Sequence, residues 1–263
     1  MEAAAAYLLL GAFAGTLAGL LGVGGGLVIV PVLAVVFARS GIDNALIMHL
    51  AIGTSLATII ATSMSSTYAH YRRGAVLWPA FLALVPGIVI GAWLGAAVAH
   101  RLSTQALTSV FGIFELVVAA QMGFGLRPSP HRQLPGRGGT LLAGGVIGTV
   151  SAIVGIGGGT LTVPFLTWCN VPIRNAVATS AACGLPIAAA GMIGYLVAGW
   201  GAKDLPAWST GYIYWPAFAG IIATSLVFAP VGAKLAHTLP AAALKRVFAV
   251  FLAGLGVYML LFR

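Results

Sequence analysis

The 263-residue chain is 60% hydrophobic and only 6% charged, whereas about 25% of the residues in a soluble domain are charged. This composition excludes a soluble globular protein and indicates a polytopic membrane protein whose main partner is the lipid bilayer. The net charge of +9 does not indicate nucleic-acid binding. The lysines and arginines are spread through short connectors, as membrane insertion favours, and form no basic face.

Hydropathy divides the chain into apolar segments long enough to reach across or into a bilayer. A polar stretch rich in Pro and Gly separates the fourth segment from the fifth, and such a stretch is typical of a loop. The predicted segments, in chain order, are 4–38, 44–69, 75–100, 103–124, 139–169, 175–199, 210–236 and 241–262.

Runs of glycine interrupt the first and fifth segments. Gly22-Val23-Gly24-Gly25-Gly26 precedes Pro31, and 133 residues later Gly155-Ile156-Gly157-Gly158-Gly159 precedes Pro164. Unwound backbone at membrane depth is tolerated only where protein buries it or water lines it. Gly/Pro-interrupted apolar segments at matching places in two halves are typical of the binding site of a secondary transporter.

Other matches extend this duplication into an internal repeat. Trp78-Pro79-Ala80-Phe81 matches Trp215-Pro216-Ala217-Phe218 at an offset of 137 residues, and Thr54-Ser55 aligns with Thr179-Ser180 at an offset of 125. The repeat predicts a first half over residues 1–126, a basic linker over 127–138 and a second half over 139–263.

Charge counting separates two topologies. As one straight helix, segment 4–38 would be ~52 Å long against a hydrocarbon core of about 30 Å, so it either crosses with an overhang or folds back at its glycines. If both broken segments cross, the 13 lysines and arginines split six against seven; if both fold back, they split nine against four. The positive-inside rule favours the second arrangement. We therefore predict an all-α protein of two inverted repeats, each a re-entrant hairpin plus three transmembrane helices, with both termini periplasmic and the linker cytoplasmic.

The glycine breaks form the predicted substrate site. Consecutive glycines can take positive φ and leave backbone N–H groups free, and helices beginning at Leu27 and Thr160 would point their positive dipole ends at the breaks. Such ends bind anions without a charged side chain, although close packing through small residues is the alternative interpretation. The Thr-Ser pairs are expected to contact the substrate, with bonding to their own helix as the alternative. The predicted substrate-binding residues are Gly24, Gly25, Gly26, Thr54, Ser55, Gly157, Gly158, Gly159, Thr160, Thr179 and Ser180.

Glu115 stands in the middle of an apolar segment. An intramembrane carboxylate is a functional hypothesis by default, and its role here would be to couple transport to protons. Leu252 replaces the acid at the repeat position, which favours a structural contact instead. Asn44 and Asn175 open the helices that carry the Thr-Ser pairs and are predicted as N-caps.

No catalytic, metal or cofactor site is predicted. The sequence has no HExxH or GxSxG motif and no paired carboxylates, so enzyme activity is not expected. No histidine pair has metal-ligand spacing, and Cys169 and Cys183 are interpreted as small apolar packing residues. An anion channel that uses the same backbone dipoles is the alternative to a transporter.

The residues above resemble the TauE/SafE sulfite-exporter family. The resemblance rests on the duplicated G-x-G-G-G followed by Pro, the Thr-Ser pair in the next helix and the connector Tyr71-Arg72-Arg73-Gly74, and it spans the whole chain. It implies transport of a small sulfur-containing anion, such as sulfite or an organosulfonate, across the bacterial inner membrane. It fixes neither the substrate, the direction of transport nor the oligomeric state. No basic residue of the second half closely matches Arg72-Arg73; Lys203 is the nearest.

Overall fold

The computed structural model describes residues 2–21, 25–125, 133–235 and 241–261. These residues form α-helices and one small antiparallel sheet. The helices are α1 (Glu2–Leu21), α2 (Gly26–Arg39), α3 (Ile47–Tyr71), α4 (Trp78–Arg101), α5 (Thr104–Gly123), α6 (Arg137–Val154), α7 (Gly159–Trp168), α8 (Ile173–Ala198), α9 (Trp215–Leu235) and α10 (Ala241–Leu261). The strands are β1 (Ser209–Thr210) and β2 (Ile213–Tyr214).

Helix boundaries follow the apolar segments closely. Each glycine-broken segment divides into a long helix and a short one, and most other boundaries lie within three residues of the predicted ones. The seventh segment differs, because its first residues form the β1–β2 hairpin before α9 starts at Trp215. Helix α6 begins at Arg137, so the last two residues of the predicted linker are helical, while residues 127–132 lie outside the described residues.

Within the described part of the chain, five helices are long and apolar enough to cross a membrane: α3, α4, α5, α6 and α8. Shorter apolar stretches lie in α1, α2, α9 and α10. Many large apolar side chains point outward, for example Leu82, Ile90 and Leu94 of α4. The hydrocarbon core of a bilayer can cover such an apolar surface. The chain is therefore an all-α polytopic membrane protein, as its composition predicts.

Two pairs of helices, each joining one half to the other, pack in parallel through small residues. Gly87 of α4 lies against Leu141 of α6, and Gly95 lies against Thr149 further along the same two helices. Helices α1 and α9 pack in the same way, with Gly11 against Ile221 and Gly15 against Ser225. Since α1 corresponds to α6 and α4 to α9 in the repeat, these two pairs are equivalent to each other.

Two other pairs join helices that occupy the same position in the repeat, and both pairs are antiparallel. In α3 and α8, Leu56 lies against Gly191 and Ser63 against Gly184, so residue numbers rise in one helix as they fall in the other. Helices α5 and α10 behave alike, with Gly112 against Leu260 and Gly123 against Ala249.

The chain reverses direction between α1 and α2. The ring of Tyr7 in α1 lies 6.3 Å from the ring of Tyr214, and the ring of Phe37 in α2 lies 5.5 Å from it. In a straight helix the 30 residues between Tyr7 and Phe37 would span ~45 Å. Both rings reach Tyr214 only because α2 folds back beside α1.

Helix α3 runs through the centre of the protein. Its residues 47–59 are all buried, and it packs on α2, α8 and α9. Helix α8, its repeat equivalent, is buried around Thr179 and Ser180. Both Thr-Ser pairs therefore lie in the protein interior rather than against lipid.

Candidate functional site

The first glycine break ends in a left-handed residue. Gly25 has φ 72°, and its carbonyl accepts hydrogen bonds from the N–H groups of Val28 and Ile29, both at 3.0 Å. Helix α2 begins at Gly26, one residue before the predicted Leu27. Gly24, also predicted as a site residue, lies outside the described residues.

The second break is built differently from the prediction. Gly155, with φ 77°, ends α6, whereas Gly158 has a right-handed φ of −62°. Gly157 and Gly159 are not among the described glycines with positive φ. The three consecutive glycines can take positive φ, but the left-handed residue of this break lies earlier, at Gly155, where the chain turns out of α6. Helix α7 begins at Gly159, again one residue before the predicted start.

The structure brings the two breaks together beside the middle of α3. A Cβ on Gly26 would lie 2.5 Å from the carbonyl oxygen of Gly155, 3.0 Å from Cα of Ile156 and 3.2 Å from Cδ1 of Ile59. Only a residue without a side chain allows this approach. The start of α2 thus lies against the end of α6 and the beginning of the second break, although the two breaks are 133 residues apart in the sequence.

Three of the four hydroxyls of the Thr-Ser pairs are already hydrogen-bonded to backbone. Thr54 Oγ1 accepts from the N–H of Tyr214 at 3.0 Å, and Thr179 Oγ1 accepts from the N–H of Leu77 at 2.9 Å. Tyr214 and Leu77 are repeat equivalents, each preceding a Trp-Pro pair, so each half holds the connector of the other. Ser55 donates to the carbonyl of Gly155 at 2.9 Å and fixes the second break.

Ser180, by contrast, is buried with no hydrogen-bond partner for its hydroxyl among the described residues. Its carbonyl oxygen lies 3.0 Å, and Oγ1 of Thr162 lies 3.1 Å, from the position that a Cβ on Gly158 would take. The hydroxyls of Thr160 and Thr162 are likewise buried and unpartnered within the described chain. Buried hydroxyls normally find a partner, so Thr162 and Ser180, which lie next to Gly158, and Thr160, in the first turn of α7, have unused donors.

Sequence reasoning did not select Thr162, which lies one helical turn beyond Gly158. Its signal was available, because a hydroxyl residue in the first turn of the helix that follows a glycine break faces back towards that break. The prediction of Asn44 and Asn175 as N-caps is wrong for both. The N-cap of α3 is Leu46, and Asn175 lies inside α8, where its side-chain amide donates to the carbonyl of Ala75 at 2.9 Å.

Glu115 is fully buried in α5. Neither of its carboxylate oxygens has a hydrogen-bond partner among the described residues. Burying an isolated charge is costly, so the absence of a neighbouring donor argues against the structural contact that was the alternative for this residue.

The arrangement at the breaks can donate several hydrogen bonds without any charged side chain. The first N–H groups of α2 and α7 have no partner within their own helices, and the buried hydroxyls of Thr160, Thr162 and Ser180 are further unpartnered donors in the described residues. No group of three His, Cys, Asp or Glu residues that could hold a metal ion occurs in the described ranges. Both cysteines are buried.

Two broken segments that meet inside a bundle of apolar helices are typical of a membrane transporter. Comparison with known proteins identifies which kind. The family model for the sulfite exporter TauE/SafE matches residues 7–259, and the chain belongs to this family.

Several relatives cover nearly the whole chain. A probable membrane transporter protein of Haemophilus influenzae is 38% identical over 258 residues, 97% of each chain. A probable membrane transporter protein of Methanocaldococcus jannaschii is 28% identical over 261 residues, covering 97% of this chain and 94% of the relative. The probable membrane transporter protein YunE of Bacillus subtilis is 31% identical over 191 residues, covering 65% and 70%. No solved structure matches the chain.

Proposed function

We propose that this protein is a secondary transporter that moves a small sulfur-containing oxyanion, such as sulfite, thiosulfate or a sulfonate, across the bacterial inner membrane. The name of the matching family includes sulfite. The observation at the site that supports an oxyanion is that three buried hydroxyls, those of Thr160 and Thr162 just after the second break and that of Ser180, have no hydrogen-bond partner among the described residues. Neutral donors and the positive end of α7 suit an anion with several oxygen atoms.

The direct ligands in this proposal are backbone N–H groups at Gly25, Gly26, Gly157, Gly158 and Gly159, together with the hydroxyls of Thr160, Thr162 and Ser180. Thr54, Ser55 and Thr179 hold the connectors and the second break in place, because their hydroxyls already bond to backbone groups. Gly24 completes the first break by sequence.

Alternating access is the proposed mechanism. The halves, 1–126 and 139–263, are joined by the linker 127–138, and we place them in inverted orientation with both termini periplasmic. The antiparallel packing of the equivalent helices α3 and α8 supports this placement. Rocking of one half against the other would expose an anion held between the breaks first to one side of the membrane and then to the other.

Glu115 is the proposed proton-coupling residue, since its buried carboxylate lacks a partner within the described chain. In liposomes, Glu115→Gln should remove the dependence of uptake on a proton gradient while anion counterflow continues, because Gln keeps the shape of the side chain but cannot exchange a proton. Unchanged gradient dependence in this variant would remove Glu115 from the proposal.

Ser180→Ala tests the site. The anion should bind about 1.5–3 kcal/mol more weakly, roughly 10- to 150-fold in Kd, since a hydrogen bond to a charged ligand is lost. Thermal stability without ligand should be unchanged, because the hydroxyl has no described partner to lose. Ser109→Ala is the matched control, as Ser109 donates only to the carbonyl of Gln105 and its loss should leave binding intact.

The assay uses purified protein in liposomes with labelled thiosulfate or sulfite. Saturable uptake that supports counterflow indicates a transporter, whereas ohmic single-channel current would replace the proposal with an anion channel. Preference for a cation, or equal affinity of the Ser180→Ala and wild-type proteins, would contradict the proposed site.

A further inference from the structure

The polarity of α3 changes abruptly along its length. Residues 47–59 are buried, and residues from 60 onward are mostly half-buried or exposed. Of the ten residues 62–71, eight carry a hydroxyl or an imidazole. Polar residues in a membrane-spanning helix face the protein interior or a water-filled cavity, so this end of α3 requires an explanation other than lipid contact.

Four of the polar residues lie along one face of α3. Ser63, Ser66, Thr67 and His70 are spaced i, i+3, i+4 and i+7, which places them on a single stripe of the helix; we name them the α3 stripe. Ser63 is buried and the other three are half-buried, whereas Met64, on the other side of α3, is 58% exposed. The stripe is therefore turned away from the lipid but is not sealed in the core.

One hydroxyl of this stripe, that of Thr67, is not satisfied in the usual way. In α5, Thr108 donates to the carbonyl of Thr104 and Ser109 to that of Gln105, as serine and threonine commonly do in membrane helices. Thr67 Oγ1 has no hydrogen-bond partner among the described residues. The Thr67 oxygen is itself buried, although the residue as a whole is half-buried. A buried hydroxyl without a partner is costly in an apolar environment, and a water molecule inside the protein is the partner that would satisfy it.

One end of the α3 stripe lies near the second glycine break, and the other end lies near two arginines. At the inner end, Oγ of Ser63 and the backbone nitrogen of Gly158 lie 2.7 and 3.7 Å from the position that a Cβ on Gly184 would take. At the outer end, His70 lies within electrostatic range of Arg73 and Arg174. Seven residues of helix separate the ends by ~10 Å.

The repeat equivalent of the stripe is apolar. At the offset of 125 residues, α8 carries Ala188, Gly191, Met192 and Tyr195. Tyr195 is buried, and its hydroxyl donates to the carbonyl of Ala152 at 3.1 Å. The polar stripe therefore belongs to one half only and reaches only the face that carries Arg73 and Arg174.

We propose that the α3 stripe lines a water-filled path by which a small anion reaches Gly158 from the face that carries Arg73 and Arg174. The two arginines raise the local concentration of anions at the mouth of the path, because fixed positive charge attracts them. The destination of the path rests on the proposed substrate site, but its water content and its charge preference do not.

Cysteine accessibility tests the path in the full-length protein, in a background where Cys169 and Cys183 are alanine. Ser66→Cys places a nearly isosteric thiol in the stripe, and Met64→Cys is the matched control at nearly the same depth on the lipid-facing side. A membrane-impermeant anionic methanethiosulfonate should modify Ser66→Cys about tenfold faster or more, because the reactive thiolate forms only in contact with water. Modification should occur only from the face of Arg73.

A second comparison tests whether the two arginines attract anions to the mouth of the path. With Arg73→Gln and Arg174→Gln added, modification of Ser66→Cys by the anionic reagent should slow, while the rate with a cationic reagent should not fall. A lipid-permeable maleimide verifies that both thiols are present in folded protein. Equal, slow reaction of Ser66→Cys and Met64→Cys with the impermeant reagent would overturn the path, even if sulfur anions bind. Fast reaction of Ser66→Cys in a protein that binds no sulfur anion would keep the path and remove the proposed substrate.

Discussion

Gly25 and Gly158 stand at equivalent breaks but need to be glycine for different reasons. Gly25 has φ 72°, where L-residues are strained, while its Cβ position has only ordinary contacts, with Cδ1 of Ile29 at 3.5 Å the nearest. Gly158 has an ordinary right-handed φ of −62°, but its Cβ position is crowded by Ser180 and Thr162. Gly25 is required because of its backbone conformation, whereas Gly158 is required because there is no space for a side chain.

Gly25→Ala should therefore destabilise the protein by about 1–2 kcal/mol through backbone strain, and should reduce transport because the break at the proposed site changes shape. Gly41→Ala is a matched control: Gly41 has φ 74°, and nothing lies within 4 Å of its Cβ position. It should lose similar stability in a thermal-unfolding assay yet transport normally. Gly25→Asn should recover part of the loss, since Asn tolerates left-handed backbone. Equal transport by the Gly25→Ala and Gly41→Ala variants would show that the first break serves packing only.

Hydrogen bonds between the two halves hold the connectors that precede α4 and α9. Thr179 in α8 holds the connector before α4 through the N–H of Leu77, and Thr54 in α3 holds the connector before α9 through the N–H of Tyr214. Each connector thus closes over a buried helix of the opposite half. The symmetry of the two bonds is a property of the repeat and not of either residue alone.

Thr179→Val should lower the free energy of unfolding by about 1–3 kcal/mol, because the shape is kept while the N–H of Leu77 loses its acceptor. Thr54→Val should cost a similar amount at Tyr214. Thr179→Ser retains the hydroxyl and should stay close to wild type, as measured by thermal unfolding in detergent. Normal stability of both valine variants together with weaker anion binding would instead favour direct substrate contact by these hydroxyls.

The helices and the two glycine breaks could be predicted from the sequence. The bilayer requires apolar helices, and it tolerates unwound backbone only where protein buries it or water lines it. Hydrogen-bond partners could not, since Tyr214 lies 160 residues from Thr54 and no local pattern reports it. Asn175 was misjudged for the same reason, as its partner is the distant Ala75. The position of the left-handed residue, Gly155 rather than Gly158, depends on where α6 ends against Ile52 and Val30. Nothing in the glycine run itself shows this.

At the scale of the whole molecule, the packing directions bear on how the halves sit in a membrane. If a rotation by half a turn relates two halves, equivalent helices that pack antiparallel require an axis perpendicular to them, which for membrane-spanning helices lies in the membrane plane. Helices α3 with α8 and α5 with α10 pack in this way. The charge distribution also favours inverted halves, since the hairpin arrangement places nine lysines and arginines on one side of the membrane and four on the other.

Ser40 and Pro172 test this orientation, because each follows the short helix of its half and both are exposed. With two hairpins in inverted halves, Ser40→Cys should be labelled from the periplasmic side and Pro172→Cys from the cytoplasmic side by an impermeant maleimide in oriented vesicles. Asn170 is a poorer site for a label, since its φ of 62° would strain a cysteine. If the broken segments crossed the membrane instead, the halves would be parallel and both thiols would react from the same side. That single result would rule out the inverted arrangement, and with it the rocking of inverted halves proposed for transport.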